Sequence, residues 1–369
     1  MNGESREGYA RLPEDLLRDL LIDADRVVDQ VDALLAPSIE RRDEFREALH
    51  ALDLIRTYTP TEVKTLSGVD GGFAVERTAA VDLVLCVAVG VEGLAKTTTE
   101  WEGTQYEWWS RVAKHDGEAE RLARGVMVAQ ELKVLAAAPH ELRILDGSHM
   151  TLVIQLNSAL SAWSEDVRAE ARTVWEASAT AEALSEVARS ESIVAMPKYD
   201  SSSEIIRQLS QRIGEEIPGD DKHLMGLLLE PGEFVTPQPV PETWSRLHFS
   251  AREGDEDLEQ AFTEAITPFK ERGIKFTYFK PDVFSPAFRI ELKSSIDDAQ
   301  LDSLCTTIAS QITGPFVVEP YPQYLADVMA KSVGLGLSAL QSAVQLGLSE
   351  RGRPEIAQML IHSYRTEGV

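Results

Sequence analysis

The sequence is poor in features that mark secreted, membrane-spanning and zinc-dependent proteins. It has two cysteines in 369 residues, and Cys86 lies in the apolar run VDLVLCVAV, so we expect buried free thiols for Cys86 and Cys305 rather than a disulfide or a zinc site. No apolar run reaches the roughly 18 to 20 residues that a membrane span needs. The polar N-terminal stretch also lacks the basic-then-apolar plan of a signal peptide. These absences predict a cytoplasmic protein that makes no contact with a membrane.

Basic residues are scarce as well, with 36 Lys and Arg against 61 Asp and Glu and a formal net charge of −25. This balance argues against nonspecific attraction to nucleic acid or anionic lipid. It does not exclude a nuclease, because metal ions and a local basic channel can offset the global field. One group of basic residues is a candidate channel, although solvated side chains on a pair of strands are the simpler interpretation: Lys270, Arg272, Lys275, Lys280, Arg289 and Lys293.

Several motifs of nucleotide-driven motors and hydrolases are missing from the sequence. There is no GxxxxGK[ST] phosphate loop and no GxSxG elbow, which argues against an autonomous P-loop motor and a serine hydrolase. The histidines show no HExxH or HxxxH spacing, so a zinc hydrolase is disfavoured.

The order of periodic segments predicts a mixed α/β fold with helical extensions at both ends. Leucines and charges alternate at helical spacing near the N-terminus, whereas VDGGFAVERTAAVDLVLCVAVGVEG predicts two adjacent antiparallel strands. A long helix is expected at about 156–190 and a strand at 246–251. The predicted organisation is a helical N-terminal arm (1–60), a core (61–335) with a proline- and glycine-rich insertion (215–245), and a C-terminal helical tail (336–369).

Four acidic residues lie in otherwise apolar surroundings. Asp70 and Asp146 are each predicted to end a strand, in VDGG and ILDGS, and each is followed by glycine. Glu131 lies on the helix between them and Asp327 on a C-terminal helix. An ionised carboxylate in such a place costs several kcal/mol unless something pairs with it.

Carboxylates from two strands and two helices can converge on one or two hard cations such as Mg²⁺ or Mn²⁺. In phosphoryl transfer two such ions lie about 3.5–4 Å apart. Taken singly, Asp-Gly pairs are common in turns, and Glu131 and Asp327 read as ordinary helix-surface acids. The four together favour a metal site. Lys198, after a predicted strand, is a candidate to contact phosphate or position water, and a solvated loop lysine is the equal alternative.

Several short motifs, in the same order along the chain, resemble the NurA nucleases, the partners of HerA-type DNA translocases. They are VDGG (69–72), ELKVL (131–135), ILDGS (144–148), MPKYDSSSEI (196–205), FRIEL (288–292) and PYPQYLADVMAK (320–331). The resemblance spans about residues 66–335. It implies an RNase H-like core, manganese-dependent cleavage of DNA, a homodimer and docking onto the translocase ring.

Carried over position by position, the resemblance makes Asp70, Glu131 and Asp146 the metal-binding acids, and Lys198 matches a lysine that often follows the strand there. Asp327 stands where many archaeal members have a histidine, so the fourth ligand differs in chemistry. Tyr321 and Tyr324 lie nearby, and the sequence does not decide which of them faces the site.

The function expected from these observations is a metal-dependent DNA nuclease with endonuclease and 5′–3′ exonuclease activity. It would use Mn²⁺, with Mg²⁺ as the alternative. The expected partners are DNA, a HerA-type hexameric ATPase and a second copy of the chain, in DNA end processing, repair or anti-phage defence. Two other classes stay open: an ATP-dependent phosphotransferase of the actin and sugar-kinase type, and a non-catalytic scaffold subunit of the translocase complex.

Overall fold

The computed structural model describes residues 14–97, 101, 105–199, 201–240, 249 and 254–360. The described strands are β1 (Ile55–Thr57), β2 (Leu66–Arg77), β3 (Asp82–Glu92), β4 (Gln105–Ala113), β5 (Leu142–Asp146), β6 (Ile193–Met196), β7 (Glu233–Val235), β8 (Gln238–Pro239), β9 (Ile274–Lys280) and β10 (Phe288–Lys293). They form one sheet in the order β1-β7-β9-β10-β6-β5-β2-β3-β4, with β8 paired to β9.

The helices surround this sheet and extend beyond it. Those before β6 are α1 (Glu14–Ile22), α2 (Ala24–Glu40), α3 (Arg42–Ala51), α4 (Ala119–Ala137), α5 (His149–Leu160), α6 (Glu165–Ala177) and α7 (Thr180–Arg189). Those after it are α8 (Glu204–Ile213), α9 (Asp221–Leu228), α10 (Glu256–Arg272), α11 (Asp298–Ala309), α12 (Tyr321–Lys331), α13 (Val333–Glu350) and α14 (Pro354–Met359). No helix in the described ranges combines the length and the apolar character needed to cross a membrane.

The core of the sheet has the RNase H-like arrangement that the motifs predict. Strands β2, β3 and β4 form an antiparallel meander. Strand β5 then pairs in parallel with β2, and β6 pairs in parallel with β5. The resulting order β4-β3-β2-β5-β6 brings the first strand of the meander to the centre. The mixed α/β prediction is therefore confirmed.

Two helices pack on opposite faces of β2 and β3. Helix α4 lies between the sheet and helices α5, α6 and α7, and α12 lies on the other face. Because α4 is covered on several sides, most of its residues are buried. Successive residues of β2 point alternately toward α4 and toward α12. This central strand is therefore enclosed by both layers.

Two local predictions differ from the structure, and a third cannot be compared with it. Asp70 lies inside β2, not at its end, because the glycines that follow it continue the strand. The helix expected over 156–190 is divided into α5, α6 and α7. Ser164 caps the start of α6 by accepting from the Val167 N–H, and Ala179 adopts a left-handed conformation (φ 48°) before α7. The strand expected at 246–251 lies outside the described residues, apart from residue 249.

The predicted N-terminal arm and the predicted insertion both contain strands of the same sheet. Within 1–60, α1 to α3 are followed by β1, which pairs with β7. Within 215–245, β7 and β8 both pair with β9. Cys86 and Cys305 are free and buried, as their surroundings in the sequence predict.

Candidate metal-dependent active site

Three carboxylates from distant parts of the chain meet at the centre of the sheet. Asp70 comes from β2, Asp146 from the end of β5 and Asp327 from α12, and one oxygen of each lies within 4.8 Å of the others. The parallel register of β2 and β5 pairs Val69 with Leu145, so the next residues along each strand are neighbours. Sheet pairing therefore brings together two acids that are separated by 76 positions in the sequence (146 − 70).

Glu131 lies beside this group on α4 and is 5% exposed. A methyl group at Gly71 would overlap with the Glu131 carboxyl group, so glycine is what allows the helix and its acid to approach β2. Gly72 has the same role on the other face, where a methyl group would overlap with the carbonyl of Ala330 in α12. The two glycines after Asp70 thus admit one helix on each side of the strand.

The ammonium group of Lys198 lies among the carboxylates. Its Nζ is 2.6 Å from Asp327 Oδ1, 2.8 Å from Asp146 Oδ2 and 3.9 Å from Asp70 Oδ2. Burial disfavours the charged form of Lys198, but the negative charges of Asp146, Asp327 and Asp70 outweigh it and raise the pKa of the lysine above its ordinary value. Lys198 therefore supplies positive charge within this cluster of carboxylates.

One lysine does not neutralise the group. Burial, then the charges of Asp146 and Glu131, raise the pKa of Asp70 to about 9. Burial and the Asp146 charge likewise raise the pKa of Glu131 to about 8. Burial also acts on Asp327, but hydrogen bonds from Lys198 and Lys331 lower the pKa of this carboxyl. Two of the acids thus hold protons near neutral pH unless additional positive charge enters the site.

Three further residues of the site escaped the sequence analysis. Gln323 and Lys331 flank Asp327 at spacings of four on α12, so all three lie on one face of the helix. Gln323 donates to Asp146 Oδ1 at 2.9 Å and to the Met196 carbonyl at 3.1 Å, and Lys331 Nζ lies 2.8 Å from Asp327 Oδ2. Their spacing of four residues from Asp327 is the sequence signal by which Gln323 and Lys331 could have been found.

Glu319, the third of them, precedes α12 and has no comparable signal. Its Oε2 lies 3.5 Å from Lys198 Nζ, and burial raises the pKa of its carboxyl group. With Glu319, five carboxyl groups line the site together with Lys198, the other four being those of Asp70, Glu131, Asp146 and Asp327.

These groups line an open cavity of about 740 Å³. Its walls combine apolar side chains with cations, and its described lining includes Phe73, Met127, Phe288, Arg124, Lys222 and Arg289. Neither Tyr321 nor Tyr324 is among the described residues that line it; the α12 residue that does so between them is Gln323. A cavity of this volume accommodates a ligand the size of a nucleotide.

The six basic residues that are a candidate channel in the sequence do not lie on one surface. Arg289 and Lys293 are 5% and 1% exposed on β10, whereas Lys270 and Arg272 lie on the exposed end of α10. Of the six, Arg289 alone is among the described residues that line the cavity. The cluster in the sequence is therefore not a single cationic patch.

Of the comparisons with known proteins, the one with solved structures identifies the fold. No protein-family model matches the sequence, and no curated protein matches it. The NurA nuclease from Sulfolobus solfataricus superposes with a TM-score of 0.61 at 12% identity, over 92% of this chain and 98% of its own. A NurA structure with manganese and one bound to dAMP and manganese superpose with TM-scores of 0.52 at 10% identity. They cover 83% of this chain and 94% and 92% of their own. The resemblance found in the motifs is thus confirmed at the level of structure: this chain has the fold of the NurA nucleases over most of its length.

Proposed function

We propose that the protein is a metal-dependent DNA nuclease that hydrolyses phosphodiester bonds. The observation that carries the proposal is the meeting of Asp70, Asp146 and Asp327 within 4.8 Å, with Glu131 buried beside them. The fold adds support, since solved structures that share it include nucleases, one of them bound to dAMP and manganese.

The side chains fit a hard divalent cation. Every candidate ligand is a carboxylate oxygen, which Mn²⁺ and Mg²⁺ prefer over softer donors. The raised pKa values of Asp70 and Glu131 indicate that these acids need more positive charge than Lys198 provides. When bound, divalent ions lower the pKa of water and stabilise the leaving oxygen in phosphodiester hydrolysis. We propose Mn²⁺ as the cofactor, with Mg²⁺ as the alternative.

The positions of the side chains suggest a role for each. Asp70 and Asp146, from adjacent strands, would share the cations, and Glu131 would complete their ligands and orient the attacking water. Asp327 would bind a second ion from α12. Lys198, which contacts both Asp146 and Asp327, would contact the phosphate or position the water.

The phosphotransferase alternative loses its main candidate motif. A kinase of the actin and sugar-kinase type needs a second phosphate-binding glycine hairpin, and the nearest sequence to one in the C-terminal half is VGLGLSAL (333–340), whose pattern itself favours a helix. Those residues lie in α13, where Gly334 and Gly336 are helical. The scaffold alternative differs from the nuclease in one measurable property, since a scaffold without catalysis need not bind Mn²⁺.

Assembly with a HerA-type hexameric ATPase and with a second copy of this chain is part of the proposal. Helix α1 has no buried residue and exposes Leu20, Leu21 and Ile22, which is typical of a segment that packs against a partner. The net charge of −25 fits a division of labour in which a ring holds the DNA and this subunit cleaves it. Endonuclease and 5′–3′ exonuclease activity in the cytoplasm, in end processing, repair or anti-phage defence, completes the proposal.

The direct test is cleavage of linear DNA with Mn²⁺, with and without EDTA, together with calorimetric titration of Mn²⁺. Wild type should cleave only with metal. Asp70→Ala and Asp146→Ala should lose more activity than the roughly 10- to 100-fold that loss of a supporting residue causes. Glu176→Ala, at an exposed acid of α6, is the control and should retain activity. Cleavage that survives both site substitutions would contradict the proposal, and absence of Mn²⁺ binding to wild type would favour the scaffold.

A further inference from the structure

Strand β10 carries three charged residues that the proposed chemistry does not use. Arg289, Glu291 and Lys293 are 5%, 6% and 1% exposed. They alternate with Phe288, Ile290 and Leu292, which pack into an apolar cluster, so the charged side chains share the opposite face of the strand. Buried charges are costly unless they are paired. Their partners therefore indicate what this face of β10 holds in place.

Glu291 contacts the beginning of α5. Its Oε2 accepts from the His149 backbone N–H at 3.0 Å and lies 3.3 Å from His149 Nδ1. A carboxylate at the start of a helix satisfies a free N–H group and interacts favourably with the helix dipole. His149 follows Asp146 by three residues, and Gly147, with φ of 91°, forms the turn between β5 and α5. Glu291 thus fixes the far end of the turn that presents Asp146.

Arg289 contacts the loop on the other side of the site. Its Nη1 donates to Ser202 Oγ at 2.6 Å, and Ser202 lies in the loop between β6 and α8 that also carries Lys198. Its Nη2 lies 3.5 Å from Glu291 Oε1. Arg289 therefore links Glu291 to the Lys198 loop.

Glu291 and Arg289 thus contact the β5–α5 turn, which presents Asp146, and the β6–α8 loop, which carries Lys198. These two side chains meet in the acid cluster, where Lys198 Nζ lies 2.8 Å from Asp146 Oδ2. Strand β6 separates β5 from β10, and Glu291 is paired with Ala195 of β6. The charged face of β10 thus contacts both the segment that follows β5 and the loop that follows β6. Glu291 itself is not among the described residues that line the cavity.

We propose that Glu291, through His149 and Arg289, is a positioning residue that sets the separation between Asp146 and Lys198. This inference rests on the proposed nuclease function. It assigns to β10 the support of the site, in contrast to the solvated side chains that were the simpler interpretation of its sequence. Loss of Glu291 should loosen both loops, so that metal affinity and turnover fall while recognition of DNA by the cavity walls is retained.

A simpler explanation is that Glu291 only balances buried charge. The chain offers a matched control in Glu233 on β7. Its carboxylate also pairs with an arginine, Arg46, at 2.8 Å, and also accepts a backbone N–H, from Glu230 at 2.7 Å. The Glu233 side chain is 12% exposed and is not among the described residues that line the cavity. Glu233→Gln therefore removes a comparable pair away from the acid cluster.

The experiment compares wild type, Glu291→Gln, Glu291→Asp and Glu233→Gln as full-length chains. Mn²⁺ affinity is measured by calorimetry, kcat and KM on linear DNA at saturating Mn²⁺, and stability by urea unfolding. Both Gln variants should lose stability, but only Glu291→Gln should lose Mn²⁺ affinity and kcat, by about 10- to 100-fold, with KM for DNA within about twofold. Glu291→Asp retains the charge but not the reach, so it should show the same loss of Mn²⁺ affinity.

Each result supports or overturns the inference. Wild-type Mn²⁺ affinity and kcat in Glu291→Gln, or full recovery in Glu291→Asp, would leave Glu291 with a role in charge balance alone. If Glu291→Gln does not fold, Ser202→Ala breaks the link to the Lys198 loop without removing a charge. It should lower kcat by about threefold or more, and an unchanged kcat would overturn the inference. A wild type that binds Mn²⁺ without cleaving DNA contradicts the proposed function alone, because the Mn²⁺ titrations still test Glu291. A wild type that does neither contradicts both.

Discussion

Lys198 Nζ lies 2.6 Å from Asp327 Oδ1, so an ammonium group directly pairs with a carboxylate proposed to bind metal. The same nitrogen lies 2.8 Å from Asp146. A cation that binds these oxygens must therefore compete with Lys198 or displace it. Metal binding and the position of this lysine are linked, and the linkage can be measured.

We expect Lys198→Met to increase affinity for Mn²⁺ by at least about tenfold, because it removes a positive charge that lies 2.8 Å from Asp146 and 2.6 Å from Asp327, two of the proposed ligands. Cleavage should nevertheless fall, because the variant lacks the cation proposed to contact phosphate. Lys331→Met is the control: Lys331 pairs with Asp327, but its side chain is 75% exposed, so affinity should change by less than about threefold. Calorimetric titration of both variants checks this, and unchanged or weaker binding to Lys198→Met would contradict it.

The raised pKa of Asp70 predicts how stability depends on pH without metal. The folded state holds a proton up to a pKa of about 9, whereas the unfolded state releases it near 3.8. Between these values the folded state binds more protons, so this group makes folding less favourable as pH rises. Asp70→Asn lacks the titration and should gain stability relative to wild type from pH 5 to 8, by at most about 1.4 kcal/mol per pH unit.

Urea unfolding in EDTA at several pH values measures the free energy of unfolding of both proteins. Subtracting the wild-type value at each pH cancels the contributions of groups that titrate in both proteins, including His149. Saturating Mn²⁺ should reverse the ranking, because metal binds only the folded site that has its ligands. A stability difference that is constant from pH 5 to 8 would show that folded Asp70 is already ionised at pH 5 and that its pKa is not raised.

Gly72 tests the close contact between β2 and α12. Alanine at this position would overlap with the carbonyl of Ala330, which is backbone and cannot rotate away, so α12 must shift. We expect Gly72→Ala to lower the free energy of unfolding by about 1–3 kcal/mol and to weaken Mn²⁺ binding through displacement of Asp327. Gly226→Ala, in α9, has nothing within 4 Å of the added methyl group and should be neutral or stabilising by up to about 1 kcal/mol. Equal effects in urea unfolding would contradict the contact.

The parts of the site that follow local chain rules could be predicted from the sequence. Asp146 ends β5 and Lys198 follows β6, as the apolar runs before them predict. Asp70 was correctly predicted to be an acid in apolar surroundings, but its position inside β2 was not predicted. An Asp-Gly-Gly sequence ordinarily indicates a turn, and here the glycines are required by two helices that approach from elsewhere in the chain.

The rest of the site depends on contacts between distant segments. Glu319 comes near Lys198 because α12 packs across β2. The loop that contains Glu319 has no periodic pattern from which this contact could be predicted. The basic residues of β10 form a cluster in the sequence, yet strand alternation and burial direct Arg289 and Lys293 inward. Local pattern fixes which face of an element a residue occupies, whereas tertiary packing determines what that face meets.

Gln323 provides the test of how α12 orients Asp146. Its amide donates to Asp146 Oδ1 and to the Met196 carbonyl, and the side chain is 2% exposed. Gln323→Met should lower Mn²⁺ affinity by about 10- to 100-fold, because the carboxylate is no longer held in one orientation. Gln311→Met is the matched control, since Gln311 is 1% exposed and accepts from the Leu94 N–H at 2.8 Å outside the cavity. Both variants should lose about 1 kcal/mol of stability in urea unfolding because each removes the hydrogen bonds of a buried side chain. Only the first should lose metal affinity, so similar Mn²⁺ titrations for the two would show that Gln323 stabilises the fold without orienting Asp146.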